Sequence, residues 1–299
     1  MYVLMSLLHI IWFRNDLRVH DNAALRGACF TAERDGGDVL ALVIEDPSAT
    51  EDLQQRSEAL RDLSAALEQR GARLHVRSGA PSEVFSELHR AHGVRSVHMN
   101  EVPYDDAVLP NTQSWALRAG VRFQVYSQYG PQDAPQPYEA VEAHWTNFMA
   151  RPRFETPDIP SPANVGVGQS SFAENTETLS DEAMGGRRHA IALLRAFLGS
   201  VSDPQRIAIT EAESGGAFFE RLKPFLLLGV LSPREVWQAA SSAHHQMHRA
   251  GQDIRAASIK SLLRRLPELH KRRASVRTVR TPRNVRQRAA KGEQLSLGL

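Results

Sequence analysis

Arg14, Asn15, Asp16 and Arg18, then His20, Asp21 and Asn22, crowd charges and amides directly behind the apolar run "LLHIIWF". One short stretch thus offers cationic donors, carboxylate acceptors and an imidazole, the inventory needed to hold a polar small molecule. Other constellations are thinner. Asp105 and Asp106 could share acid–base work, although helix capping before "AVLPNTQSWAL" accounts for them too. His244 and His248 stand one helical turn apart, but no Asp, Glu or Cys at matching spacing completes a metal site, so a solvated helix end is the simpler reading. Cys29 has no persuasive histidine partner, and no serine sits in a nucleophile elbow. His9 alternates within an apolar run and reads as a core histidine. His89 and His92 flank a helix terminus and read as surface residues.

The elements that must carry these residues alternate. Short β-branched runs occur at "LLHIIWF", "VLALVIE", "ARLHVRS", "VRSVHM" and "VRFQVYS". Between them lie helical segments. In 57–71, Leu60, Leu63 and Leu67 keep one face and Gly71 supplies the stop; in 81–93, Ser82 is the expected cap for a stripe of Val84, Phe85 and Leu88. Strand and helix in this alternation predict an α/β fold, a doubly wound five-stranded parallel sheet over residues 1–130. Ligands of such sheets sit beyond the carboxyl ends of the strands. Residues 14–22 belong there, as do Glu45-Asp46, Ser78-Gly79 and Asn100-Glu101. Two readings stay open: ordinary caps and turns, or a polar crevice for a small ligand.

Residues 131–185 are rich in Pro, Ser, Asn and Gly and read as an interdomain linker with one amphipathic piece, "EAVEAHWTNFM". Residues 186–270 form a partial all-helical domain, in which Ser232-Pro233 marks a helix start, serine as cap and proline at the first helical position. Residues 271–299 read as a basic, disordered tail. Arg272, Arg273, Arg277, Arg280 and Arg283 lie in a block without Asp or Glu, which is either a solvated tail or a DNA-binding segment.

The chain has 299 residues, of which 42% are hydrophobic, enough for a proper core. Its single cysteine excludes a disulfide framework and a cysteine-rich zinc site. The apolar N-terminus lacks a basic n-region and a cleavage site, and no apolar run reaches membrane-spanning length, so a cytoplasmic protein without a membrane partner is expected.

The motif "WFRNDLRVHDNAAL" resembles the signature that opens the DNA photolyase/cryptochrome family. "RSGAPSEVF", "NEVPYDD", Trp145 at the place of the linker tryptophan, "GGRRHAIALLRAFL" and "RLKPFLLLGVLSPREVW" extend the resemblance over about residues 5–270. It implies an antenna-type α/β domain and a helical domain folded around FAD. In active members, light drives electron donation from reduced flavin to a pyrimidine dimer flipped out of DNA. The resemblance carries antenna-crevice roles to Arg14, Asn15, Asp46, Asn100, Tyr104 and Asp105, with an antenna chromophore of unspecified identity. It carries residual flavin-phosphate roles to Arg221 and Lys223.

Two departures stand out. Where the family has a Thr-Ser pair before the arginine and a Ser two residues after it, this chain has Phe219, Glu220 and Lys223. The helices completing the flavin bowl, and the tryptophan chain, should follow residue 270. The chain's tryptophans are Trp12, Trp115, Trp145 and Trp237. Two functions follow as expectations. One is a photolyase-type protein with impaired or absent catalysis. The other is a non-enzymatic chromophore- or nucleotide-binding α/β module with a DNA-associating basic tail.

Overall fold

Six consecutive buried residues, Leu8–Phe13, form β1 at the centre of the sheet. A computed structural model of the chain describes residues 7–45, 53–102, 107–130, 138–163, 165, 186–199 and 214–269. Within them, β2 (Asp38–Glu45), β3 (Leu74–Ser78), β4 (Val94–Asn100) and β5 (Arg122–Tyr126) join β1 in parallel, in the order β3-β2-β1-β4-β5. The chain winds outward in both directions from β1, so the switch point lies between β1 and β4.

Period-two alternation divides the core. Ile10 and Trp12 of β1 and Leu40 and Leu42 of β2 face α3 (Pro81–His92) and α4 (Leu109–Ala119), where Phe85 stacks on Trp115 at 5.4 Å. Ile11, Phe13, Val39, Ala41 and Val43 face α1 (Ala23–Asp35) and α2 (Leu53–Glu68). Helices therefore cover both faces, as the sequence predicts. Ser82 does not cap α3: Ala80 is the N-cap residue, without a side-chain bond, because Pro81 takes the first helical position.

A hydrogen-bonded chain runs under α1, where β4 turns Ser96, His98 and Asn100 away from the apolar Val97 and Met99. Tyr126 Oη lies 2.9 Å from His98 Nδ1, His98 Nε2 2.8 Å from Ser96 Oγ, and Ser96 Oγ 2.7 Å from His9 Nδ1. The far nitrogen, His9 Nε2, is 4.0 Å from Asp35 Oδ2. The three bonds form one consistent run when each donor points toward His9: tyrosine to His98, His98 to serine, serine to His9, whose own Nε2 is left buried without a hydrogen-bond partner among the described residues. Gly27 gives the tyrosine room, because a side-chain carbon there would overlap Tyr126 Oη.

Burial lowers the pKa of both histidines, that of His98 to about 4. The unfolded chain takes up a proton near the ordinary value of 6.5 that folded His98 refuses. Stability is therefore complete above that pH and falls as the pH drops through the interval, by about 3 kcal/mol for His98 alone. Urea midpoints measured across this range should show the slope, and His98→Gln should reduce it by the His98 share, leaving that of His9.

The connection after β5 enters α5 (Tyr138–Met149) and returns along the sheet. Residues 161–163 bond Val39 on both sides, Val39 N to Ser161 O at 2.7 Å and Ala163 N to Val39 O at 2.9 Å, alongside β2 before its pairing with β3 begins. The helical region contains α6 (Arg187–Leu198), α7 (Gly215–Leu228), α8 (Pro233–Arg249) and α9 (Asp253–Arg265). Ser232 caps α8 by accepting from Glu235 N at 2.9 Å, with Pro233 at the first position, as predicted. Phe197 and Phe218 stack at 3.8 Å within a core continuous with the α1/α2 face of the sheet. No described helix is long and apolar enough to cross a membrane.

Candidate functional site

The loop after β1 and the end of β4 meet at the switch point, and the polar cluster stands there. Asp16 accepts from Arg14 N at 2.8 Å, from Asn22 Nδ2 at 3.1 Å and from Asn100 Nδ2 at 2.7 Å. Asn100 also donates to Asn22 Oδ1 and accepts from Ala24 N. Asn22 in turn caps α1 through Leu25 N at 2.9 Å. Glu101 accepts from Ser127 Oγ and from the Gln128 and Tyr129 amides, each at 2.8 Å. These groups are satisfied by one another.

The remaining members reach across to residues 227–234. Asn15 Nδ2 donates to Leu227 O at 2.9 Å, and Leu17 N to Leu228 O at 3.1 Å. Arg18 is buried and spends its donors on His20 O, Gly229 O, Asp21 O and Gln128 Oε1. Burial lowers its pKa, and the carboxylates of Asp16 and Asp21 oppose that. The Asp21 carboxylate accepts from Ser232 Oγ at 2.6 Å, Arg234 Nη1 at 2.8 Å and Phe154 N at 3.0 Å. Asp21 has φ +45°, the only positive value outside glycine among the described residues, and Asp is one of the few types that tolerate it. The guanidinium of Arg234 lies 4.7 Å from the Phe148 ring centroid and 5.3 Å from that of Phe154. The dense charge after β1 thus docks the helical region onto the sheet through a buried ion pair and a set of carbonyls.

Among the residues assigned to the antenna crevice, Arg14 and Asn15 are half-buried and Asn100 is buried. The Arg14 guanidinium lies 4.7 Å from the Trp12 ring centroid. Asp46, Tyr104 and Asp105 lie outside the described residues, as do Arg272, Arg273, Arg277, Arg280 and Arg283 of the basic segment.

The flavin-phosphate segment lies on α7. Phe219 is buried, with the Arg265 guanidinium 4.9 Å above its ring. Glu220 accepts from Lys223 Nζ at 3.1 Å and from Arg265 Nη2 at 2.6 Å. Its pKa is lowered, first by the hydrogen bond from Lys223. Arg221 is exposed on the same helix. A pyrophosphate needs converging donors with surplus positive charge. This segment presents a buried ring and a carboxylate that already engages two neighbouring cations, so its donor set does not fit a flavin pyrophosphate.

Where the β1 loop, the connection and the helical region meet, a groove of about 470 Å³ opens. His20, Asp21, Arg153, Glu155, Thr156 and Gln238 line it, beside the paired Arg187 and Glu235. Arg187 grips Glu235 at 2.7 and 3.0 Å and donates through its backbone to Asp62 of α2 at 2.6 Å. Burial alone would raise the pKa of Glu235, but Arg187 brings it below the ordinary value. Sequence reasoning included His20 and Asp21 in the cluster, but missed Arg153, Thr156 and Gln238. Residues 153–156 sit in a stretch without periodicity, and only the tertiary fold brings them to His20.

Outside these places the chemistry is sparse. Cys29 is buried and its thiol is pushed up to about 12, an inert side chain. His244 stacks on His248 at 6.4 Å, and no cluster suited to a metal ion exists among the described residues.

Residues 9–129 match the family described as DNA photolyase. A deoxyribodipyrimidine photo-lyase of Thermus thermophilus is 30% identical over 241 residues, covering 77% of this chain and 54% of that protein. A cryptochrome DASH of Natronomonas pharaonis is 25% identical over 269 residues, covering 75% and 54%. The crystal structure of a class III photolyase from Agrobacterium tumefaciens superposes with a TM-score of 0.62 at 19% identity, covering 91% of this chain and 60% of that one. The chain spans about half the length of these curated relatives. The motif after β1, the sheet order and the relatives converge: this chain belongs to the DNA photolyase/cryptochrome family.

Proposed function

We propose that this chain descends from light-driven, FAD-dependent dimer-repair proteins but works without flavin catalysis, as a small-ligand-binding α/β module that associates with DNA. One observation carries the reading: Phe219, Glu220 and Lys223 are packed and ion-paired among themselves and Arg265, where the family resemblance implies hydroxyl donors to a flavin pyrophosphate. A phosphate placed there would meet the Glu220 carboxylate and would compete for cations that Glu220 already engages. The basic segment 271–291 supports phosphate-backbone contact with DNA, which carries no sequence information by itself.

The discriminating measurement is flavin retention. The purified protein is expected to show no flavin absorption band and no saturable FAD uptake on titration. A stoichiometric flavin that survives dilution, together with illumination-dependent reversal of thymine dimers, would establish the lyase reading that the relatives favour. A triple change of Phe219→Thr, Glu220→Ser and Lys223→Ser should raise FAD affinity above that of the unmodified chain if this segment is what keeps flavin out.

A further inference from the structure

The groove beside His20 holds donors that the fold itself leaves idle. Arg153 is exposed and makes no hydrogen bond or ion pair among the described residues. His20 engages Thr156 Oγ1 through Nδ1 at 3.1 Å, which leaves Nε2 as its uncommitted ring nitrogen. Gln238 uses Nε2 on the Met149 and Arg151 carbonyls, so its Oε1 remains as an acceptor, and Glu155 adds a carboxylate. The other charges lining the groove are paired, Arg187 with Glu235 across it and Asp21 with the buried Arg234 behind it.

The segment carrying these groups is held in place. Phe154 N is fixed by Asp21, and the Phe154 ring lies 5.3 Å from the guanidiniums of both Arg26 and Arg234. Asp21, the residue with the strained backbone, forms part of the groove wall, and such strain concentrates at ligand sites. The volume, about 470 Å³, falls in the range of small-molecule pockets at junctions between structural units.

We propose that this groove binds a small sugar phosphate, its phosphate taken by Arg153, His20 and Thr156 and its hydroxyl-bearing body by Glu155 and Gln238. A guanidinium with an imidazole is a donor set for an oxyanion, whereas a carboxylate with an amide oxygen accepts from hydroxyls. Cations also stand near the His20 imidazole. Burial lowers the pKa of His20, and Arg187, Arg70 and Arg18 lower it further, against Glu235. A bound phosphate offsets those three cations, so ligand binding and His20 protonation reinforce each other. For a ligand of fixed charge, affinity therefore rises as His20 takes up its proton. The site lies apart from the flavin-phosphate segment on α7, and its fate is independent of whether the chain retains flavin.

The test uses the full chain at low salt, with inorganic phosphate, ribose 5-phosphate and adenosine monophosphate as probes in titration calorimetry. Saturable binding of both sugar phosphates, tighter than inorganic phosphate, is expected. Arg153→Ala should weaken it about tenfold. Arg118→Ala, on exposed α4 surface, should leave it unchanged. By NMR, the His20 titration should move to higher pH when ligand is added, and His20→Gln should reduce the pH dependence to that of the phosphate's own ionisation while the fold is retained. Equal affinity in Arg153→Ala and the unmodified chain would overturn the proposal. So would binding of inorganic phosphate as tight as that of the sugar phosphates, or a His20 titration indifferent to ligand.

Discussion

Asp21→Asn should cost about 3 to 5 kcal/mol of stability, as expected when one partner of a buried ion pair is removed and the other remains. The substitution isolates the charge. Asparagine tolerates φ +45° as aspartate does, so the backbone need not change. Three acceptor bonds are at stake, to Ser232, Arg234 and Phe154, and they join three separate parts of the chain. Arg234 would be left buried with its charge unanswered. The further change Arg234→Met places an apolar chain between the rings of Phe148 and Phe154 and should recover most of the loss. Urea unfolding of the two single variants and the double variant supplies the cycle. Independent, additive losses would mean that the pair does not couple the sheet to the helical region.

Gly229→Ala should be comparably damaging for a steric reason. Gly229 has φ +72°, where an alanine costs about 1 to 2 kcal/mol, and its added carbon would overlap the Asn15 carbonyl and Asp16 Cα. Both obstacles are backbone, so relief requires moving the docked segment. That movement breaks the bonds from Arg18 to Gly229 O and from Leu17 N to Leu228 O. A loss of about 4 kcal/mol is expected. Gly120 is the control: its φ of +68° is nearly the same, but nothing lies within 4 Å of the added carbon. Gly120→Ala should therefore lose only the backbone share. Equal losses at the two positions would show that the approach to Asn15 carries no strain.

Much of the architecture was legible because it is written in local periodicity. β1 and β2 announce themselves as β-branched runs, Leu60, Leu63 and Leu67 mark the buried face of α2, and Ser232-Pro233 marks the start of α8. The partners of the opening cluster were not legible. Asn15, Arg18 and Asp21 meet residues more than two hundred positions away, and nothing near them in the chain distinguishes a docking surface from a ligand crevice. The buried relay left a fainter mark: Ser96 and His98, two apart in an apolar strand, already share a face. What sequence could not supply was Tyr126 and His9 on neighbouring strands, since register is set by pairing rather than composition.

The docking of Asp21, Arg18 and Leu17 bears on how freely this fold can be cut and recombined. A fragment ending before residue 187 would keep every strand yet strip Arg18 and Asp21 of the carbonyl, hydroxyl and guanidinium that make their burial tolerable. The sheet is thus no freestanding cassette to be grafted onto another protein: its most polar edge is finished only by residues some two hundred positions further along the chain.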